Sequence, residues 1–302
     1  MIFRLPLAGF EILHLCCNTK TTHMKKSLPA ALLIAAGASL SAQQFKVPAP
    51  SPLQTITQAF ALSDISIEYS RPSAKDRVIF GELVPFDKVW RTGANASTKI
   101  AFGEDVKVEG VAIPSGTYAL YTIPHKDSWE ILFYKDLKLG GNVNDYKKEN
   151  EQARLTVKTA STCEKVETLT FDIADMSSSE ASIRINWENT RVSFKVKAEI
   201  DERVMTGIDK ALEKDNRPYY QAASYYFNNN KDLAKASQWV DKAIEQNPKA
   251  YYMYLLKARI KAKQGDKKAA VAAAEQSIPL AKEAKNDEYV TMAQKIIAEN
   301  KK

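Results

Sequence analysis

Beyond residue 23, this 302-residue chain contains one cysteine, Cys163, and one histidine, His125. A chain so poor in both cannot close an intramolecular disulfide downstream of that point. It also cannot build a zinc site from several Cys and His ligands. There is no EF-hand loop, no glycine-rich phosphate loop ending in lysine, and no G-x-S-x-G nucleophile elbow. No cofactor, metal site or catalytic residue is therefore assigned. Past residue 42 no apolar run approaches the roughly 20 residues that a membrane helix needs. The net charge is +7, but the lysines are spread over helix faces and strand edges. That spacing is the pattern of solvated surface and not of a nucleic-acid footprint.

The N-terminal region is the exception. Met24, Lys25 and Lys26 open a short positive segment, Leu28 to Leu40 is apolar and uncharged, and Ser39, Ser41 and Ala42 follow as small residues. That order is the plan of a secretory signal, so 24–42 is expected to be a signal peptide. Met24 is then the expected start, with 1–23 an over-long beginning. Gln43 is the expected mature N-terminus, in the periplasm or outside the cell, with no stable membrane insertion after cleavage. Cys16 and Cys17 are approached by Leu13, His14 and Leu15 and not by the small residues that precede a lipid-anchored cysteine.

Residues 43–58, with three prolines and little periodicity, read as an extended linker. From 59 to 200 the pattern has a period of two, the mark of half-buried antiparallel strands. Ile65, Ile67 and Tyr69 alternate with polar neighbours, as do Ile183, Ile185 and Trp187. Val192, Phe194, Val196, Ala198 and Ile200 share a single face. Trp129 to Tyr134 is apolar on both faces and belongs in the middle of a sheet. Further strands are predicted near 78–84, 98–109, 117–123, 154–159 and 166–173. Turns are expected at Pro114-Ser115-Gly116, at His125 to Ser128, and at Glu188-Asn189-Thr190, which reads as the last hairpin. Gly140 to Lys148 reads as a longer loop or a short helical excursion.

At Asp201, a candidate helix cap, the period changes to 3.6. Helices are predicted from 201 and then at about 217–228, 232–246, 249–264, 267–284 and 287–299. Asp232 and Asp266 stand 34 residues apart, as do Ala236 and Ala270, and Ile244 and Ile278. Tyr220, Ser224, Phe227, Ala236, Val240, Ala243 and Pro248 take the spacings of a tetratricopeptide repeat. In the second copy Lys257 and Lys261 replace apolar positions, and Pro279 is expected to kink or end a helix. The fold class that follows is α+β multidomain. An antiparallel β-sandwich over 59–200 precedes tetratricopeptide-like α-helical hairpins over 201–302.

The densest unusual stretch is 71–95, RPSAKDRVIFGELVPFDKVWRTGAN. It gathers Arg71, Arg77 and Arg91 beside Trp90 and Asn95. Guanidinium groups offer rigid forks of donors suited to carboxylates or phosphates, and an indole can stack on a planar or sugar face. These five residues form the candidate ligand-binding set. The alternative is internal: the arginines brace loop carbonyls, Trp90 fills the core, and Thr92 to Asn95 make a turn. The run RPS-x-K-x-R-x-IFG-x-LVP-x-x-x-VWRTGAN, with IPSGTYALYTIP and Trp129 beyond it, resembles the bacterial domain-of-unknown-function family 2911 across about 50–200. The resemblance implies a shared β domain, often behind a signal peptide, and no established activity. Asp76 stands where that family usually has glycine.

Three readings compete. In the first, an exported envelope protein holds a polar or anionic ligand on its β domain and docks a protein or peptide on its helical tail. In the second, a hydrolase acts on an envelope polysaccharide through carboxylates among Glu68, Asp76, Glu82 and Asp87. In the third, the chain is a purely structural module. A Cys163–His125 nucleophile pair has no supporting motif.

Overall fold

The computed structural model describes residues 47–213 and 217–301. The expected signal peptide and start region, 1–42, lie outside the described residues. The β domain holds β1 (Leu53–Phe60), β2 (Ser63–Ser70), β3 (Thr98–Phe102), β4 (Val106–Val108), β5 (Val111–Ile113), β6 (Gly116–Pro124), β7 (Ser128–Tyr134), β8 (Glu151–Ala174) and β9 (Glu180–Ala198). They form one antiparallel sheet in the order β1-β2-β3-β6-β7-β8-β9-β4-β5. β8 belongs to two ladders. Residues 151–158 pair with β7 and residues 159–174 with β9, so the sheet doubles over into two facing layers.

The layers meet in a single core. Ile65, Ile67, Ile100, Leu120, Trp129, Ile131 and Phe133 come from one ladder. Leu169, Phe171, Ile183, Ile185, Trp187, Val192, Phe194 and Val196 come from the other. β7 is central, as its two apolar faces require: Trp129, Ile131 and Phe133 point into this core. Leu132 and Tyr134 point to the opposite face, where Tyr121 and the 139–146 loop cover them. Two short 3-10 turns, Val143–Asp145 and Lys148–Asn150, lie between β7 and β8.

Several boundaries differ from the sequence reading, each for a physical reason. β1 begins at Leu53, inside the segment read as linker. It is an edge strand, and most of its side chains face solvent, so alternation is weak. The 78–84 run is not a strand. Only Ile79 and Val84 are fully anchored in it, and Gly81 sits at φ +99° in a turn. Residues 98–109 divide into β3 and β4. The predicted strands at 154–159 and 166–173 are one strand, whose middle is polar and exposed.

Glu188-Asn189-Thr190 closes no hairpin, because β9 runs through it. The inward set changes from odd numbers (183, 185, 187) to even (192, 194, 196). Glu188 adopts φ 54°, and the pairing with β8 shifts here. Both features mark a bulged ladder, in which Ser161 to Thr170 of β8 oppose only Thr190 to Asn186 of β9.

Six helices follow among the described residues: α1 (Asp201–Leu212), α2 (Tyr219–Asn228), α3 (Leu233–Gln246), α4 (Tyr251–Lys263), α5 (Lys267–Glu283) and α6 (Asp287–Asn300). Among the described residues no helix is long and apolar enough to cross a membrane. Asp201 is not a cap. It lies in the first turn of α1, and its carboxylate binds Lys231 and the Tyr225 hydroxyl. True caps occur at Asp232, whose Oδ1 accepts from the Ala234 and Lys235 amides, and at Asp266, which accepts from Ala269. Pro279 does not end α5, which continues to Glu283; the proline is exposed there, where water can serve the freed carbonyl. Lys257 keeps its amine outside by pairing with Asp241 at 2.7 Å. Val204 of α1 packs on the β core, and Arg203 pairs with Glu104, which also accepts from the Leu62 amide at 2.9 Å.

Ala236 and Ala243 are fully buried between helices, the latter among Tyr219, Ala250 and Met253. Ala243→Phe has no space to enter and is expected to cost about 1–3 kcal/mol through overpacking. Thermal unfolding checks this; an unchanged melting temperature would mean that the helices do not approach as closely as this packing requires.

Candidate functional site

The 71–95 segment starts as the continuation of β2 and crosses to the second layer. The amide of Leu169 donates to Pro72 O at 2.9 Å, and Ala74 N donates to Glu167 O at 2.7 Å. Arg71 fastens the crossing, since Nε donates to Leu169 O at 3.1 Å and Nη2 to Thr170 Oγ1 at 3.0 Å. Arg77 folds back on its own loop, with Nε on Ala74 O at 2.9 Å and Nη2 on Ser73 O at 2.7 Å. Asp76, between them, adopts φ 57°. That is the left-handed region that glycine occupies without cost.

Trp90 exchanges both backbone hydrogen bonds with Thr122. Its ring stacks on Trp187 at 5.9 Å and 17°, and meets Trp129 edge-on at 5.9 Å. Phe80 contacts all three indoles, at 4.9–6.1 Å. Three of the chain's four tryptophans thus converge at one end of the β domain. Asn95, at φ 59°, donates to Ser51 O at 3.3 Å and to Ser70 Oγ at 3.2 Å. Arg91 is the least satisfied of the set. Among the described residues its guanidinium makes one hydrogen bond, Nη1 to Gly141 O at 3.4 Å, and its buried Nε has no partner. Gly141 leaves room for nothing larger, because a Cβ there would lie 2.8 Å from Arg91 Nη1 and 2.8 Å from Asn95 O.

Arg77, Trp90 and Arg91 come together with Leu83, Gly93 and Trp187 around one cavity of about 320 Å³. Arg71 and Asn95 are not among its lining residues; both spend their donors on the frame around it. Trp187 is the lining residue that sequence reasoning left in the core. Its place in an alternating strand gave no sign that its ring would reach the cavity.

A second constellation also escaped the sequence reading, on the outer face of β6–β8. The Nδ1 of His125 meets Asp87, and its Nε2 lies 3.1 Å from Glu130 Oε1. Arg154 joins Glu130 at 2.5 Å to Glu151 at 2.7 Å, and Glu151 accepts from the Tyr146 hydroxyl at 3.0 Å. Burial pushes the Glu151 carboxyl up, but the bonds from Arg154 and Tyr146 outweigh it and hold the group below the usual carboxylate range. Burial, and then Glu151, push the Tyr146 phenol up.

The hydrogen bond to Asp87, and then that to Glu130, raise His125 above its ordinary 6.5. A raised histidine stabilises the fold below its unfolded value and loses that contribution as pH climbs through the folded one. The imidazole NMR titration of His125 is therefore expected to have its midpoint above 6.5. Asp87→Asn should move the midpoint down, and an unmoved midpoint would separate the two groups.

The candidate hydrolytic carboxylates do not assemble. Glu68 pairs with Lys99 at 2.9 Å, Asp76 and Glu82 face solvent, and Asp87 serves His125. Both ring nitrogens of His125 are taken by carboxylates, and Cys163 is an exposed thiol on β8. Among the described residues no group of three or more His, Cys, Asp or Glu side chains is placed to hold a metal ion.

A family model described as a protein of unknown function (DUF2911) matches residues 51–196, from just before β1 into the last residues of β9. No curated protein and no solved structure matches the chain.

Proposed function

We propose, on the premise that this chain belongs through residues 51–196 to the DUF2911 family of proteins of unknown function, that it is an exported cell-envelope protein whose β domain holds a polar or anionic ligand and whose helical tail docks a protein or peptide. The observation that carries the ligand reading is Arg91. A guanidinium lining a cavity, with a buried donor unmet and one long hydrogen bond, is an incomplete polar site. A buried unmet donor costs about 1–3 kcal/mol, which an acceptor brought by a ligand would recover. Arg77 at the rim adds a second positive charge, and Trp90 and Trp187 supply flat apolar walls.

Export rests on the order of residues in 24–42. The reading of the tail as tetratricopeptide-like rests on its period: Asp232 and Asp266 both cap helices, and Ala236 and Ala270 are both fully buried. Phe227, Arg259, Met292 and Ile296, from α2, α4 and α6, line a concavity of about 550 Å³. An extended segment would lie along such a row of helices.

The test is a screen of anionic glycans and peptides against the full chain, repeated with Arg91→Ala. Loss of one charge-assisted contact should weaken binding by about 1.5–3 kcal/mol with the fold retained. A destabilised Arg91→Ala whose folded fraction binds normally would assign Arg91 to the frame and leave the structural-module reading. Gly141→Ala gives an independent check. Displacing the guanidinium and the Asn95 carbonyl should reproduce the binding loss in a protein that still carries Arg91.

A further inference from the structure

A separate cavity, also about 320 Å³, opens where the Pro124–Ser128 turn faces the middle of β8 and the phase change of β9. It lies across the aromatic cluster from the Arg91 cavity. Phe80 and Trp129 line this one, and Trp90 and Trp187 line the other. We infer that this second cavity binds an uncharged saccharide.

The lining combines two features that such a ligand requires. The first is a set of apolar faces from Phe80, Phe86 and Trp129. Phe86 is 37 % exposed although it is a large aromatic. Its ring is held against Gly81, where an added Cβ would come within 2.9 Å of it. A fixed, solvent-facing ring beside a cavity is a stacking platform for the C–H face of a pyranose. The second is a polar rim formed by Asp127, Ser161, Asn189 and Thr190. Among the described residues, none of these four side chains makes an internal hydrogen bond or ion pair, so their donors and acceptors remain available to hydroxyl groups.

The bulge explains why Asn189 and Thr190 are there. The positive φ of Glu188 and the shift of register turn the next residues away from the phase of the preceding strand, and re-aiming side chains is what bulges do. The charge at the rim selects against ions. Lys126 and Asp127 stand side by side with opposite signs, and His125 is already engaged by Asp87 and Glu130. The volume, at the small end of the roughly 300–1,000 Å³ range of ligand pockets, suits one or two sugar rings.

The experiment titrates the full chain with cellotetraose, maltotetraose and chitotetraose, and with digalacturonate as a charged contrast. Binding is followed by tryptophan fluorescence and calorimetry. At least one neutral probe should bind saturably and in preference to digalacturonate. Phe86→Ala and Asn189→Ala, both at exposed side chains and checked for unchanged melting, should each weaken that binding about tenfold or more. Arg91→Ala, in the other cavity, should leave it unaltered, so this inference and the anionic-ligand reading fail separately. The inference is overturned if no neutral probe saturates at millimolar concentration, if digalacturonate binds better, if both variants bind as well as the unmodified chain, or if only Arg91→Ala weakens binding.

Discussion

Trp187→Ala is expected to lower the free energy of unfolding by about 3–5 kcal/mol. The side chain is 2 % exposed, stacks on Trp90 and meets Phe80 edge-on. Its Nε1 also donates to Glu167 O at 3.2 Å, in the strand that receives the 71–75 crossing. Alanine would leave a void in the doubled-over core and merge it with the Arg91 cavity. Both the lost burial and the unrelaxed cavity act in the same direction. Trp187→Phe keeps most of the ring contact and should cost clearly less. Urea unfolding of the three proteins measures the series. A loss below about 1 kcal/mol for the alanine variant would mean that the cluster is loosely packed and that the cavity wall is not rigid.

The second large effect is expected at Arg154, and its size depends on pH. Arg154 holds Glu130 and Glu151 together, and the Glu151 side chain is only 8 % exposed. Arg154→Met leaves that carboxylate with the Tyr146 hydroxyl alone. Arg154 is itself about a third exposed, so solvent screens the pair. The loss at pH 7 is expected to be about 1.5–3 kcal/mol, the scale of a hydrogen bond to a charged group.

Glu151 has a depressed folded-state pKa. Its contribution is therefore present above the unfolded value and vanishes as pH falls through the folded one. In the variant, burial acts without its counterweight and favours the neutral acid. The difference between the two proteins should consequently be greatest near neutrality and shrink below the carboxylate range. Melting curves at pH 7 and at strongly acid pH test this. A difference that stays constant with pH would assign the loss to the methylene packing of Arg154.

The helices were the most legible part of the chain because their signals are local. Asp232 and Asp266 announce their caps within a few residues, and the burial of Ala236 and Ala243 follows from the 3.6 period. Strand identity was legible where one face is buried along the whole strand, as in β2, or where both are apolar, as in β7. It failed for β1, an edge strand with little to bury, and for the middle of β8, whose exposed residues read as a gap between two strands. The change of phase across Glu188 to Thr190 was visible, but a hairpin and a bulge shift alternation in the same way. Only the partner strand distinguishes them.

The candidate site divides along the same line. The residue types in 71–95 and their density were evident, and so was the choice between ligand contacts and internal bracing. Which arginine takes which role was not, since it depends on carbonyls at Leu169 and Gly141, far along the chain.

By itself the sequence determined a period-two domain followed by a helical one, the caps at Asp232 and Asp266, the lack of a disulfide framework downstream of residue 23, and a match over residues 51–196 to a family of unknown function. Those follow from composition, from periods of a few residues and from motif. The tertiary structure alone decided that Trp90, Trp129 and Trp187 meet, that β8 joins two ladders, and that cavities open on both sides of the aromatic cluster. The reason is that strand pairing and side-chain direction are set by partners distant in the chain. A register offset of one residue sends a side chain to the opposite face.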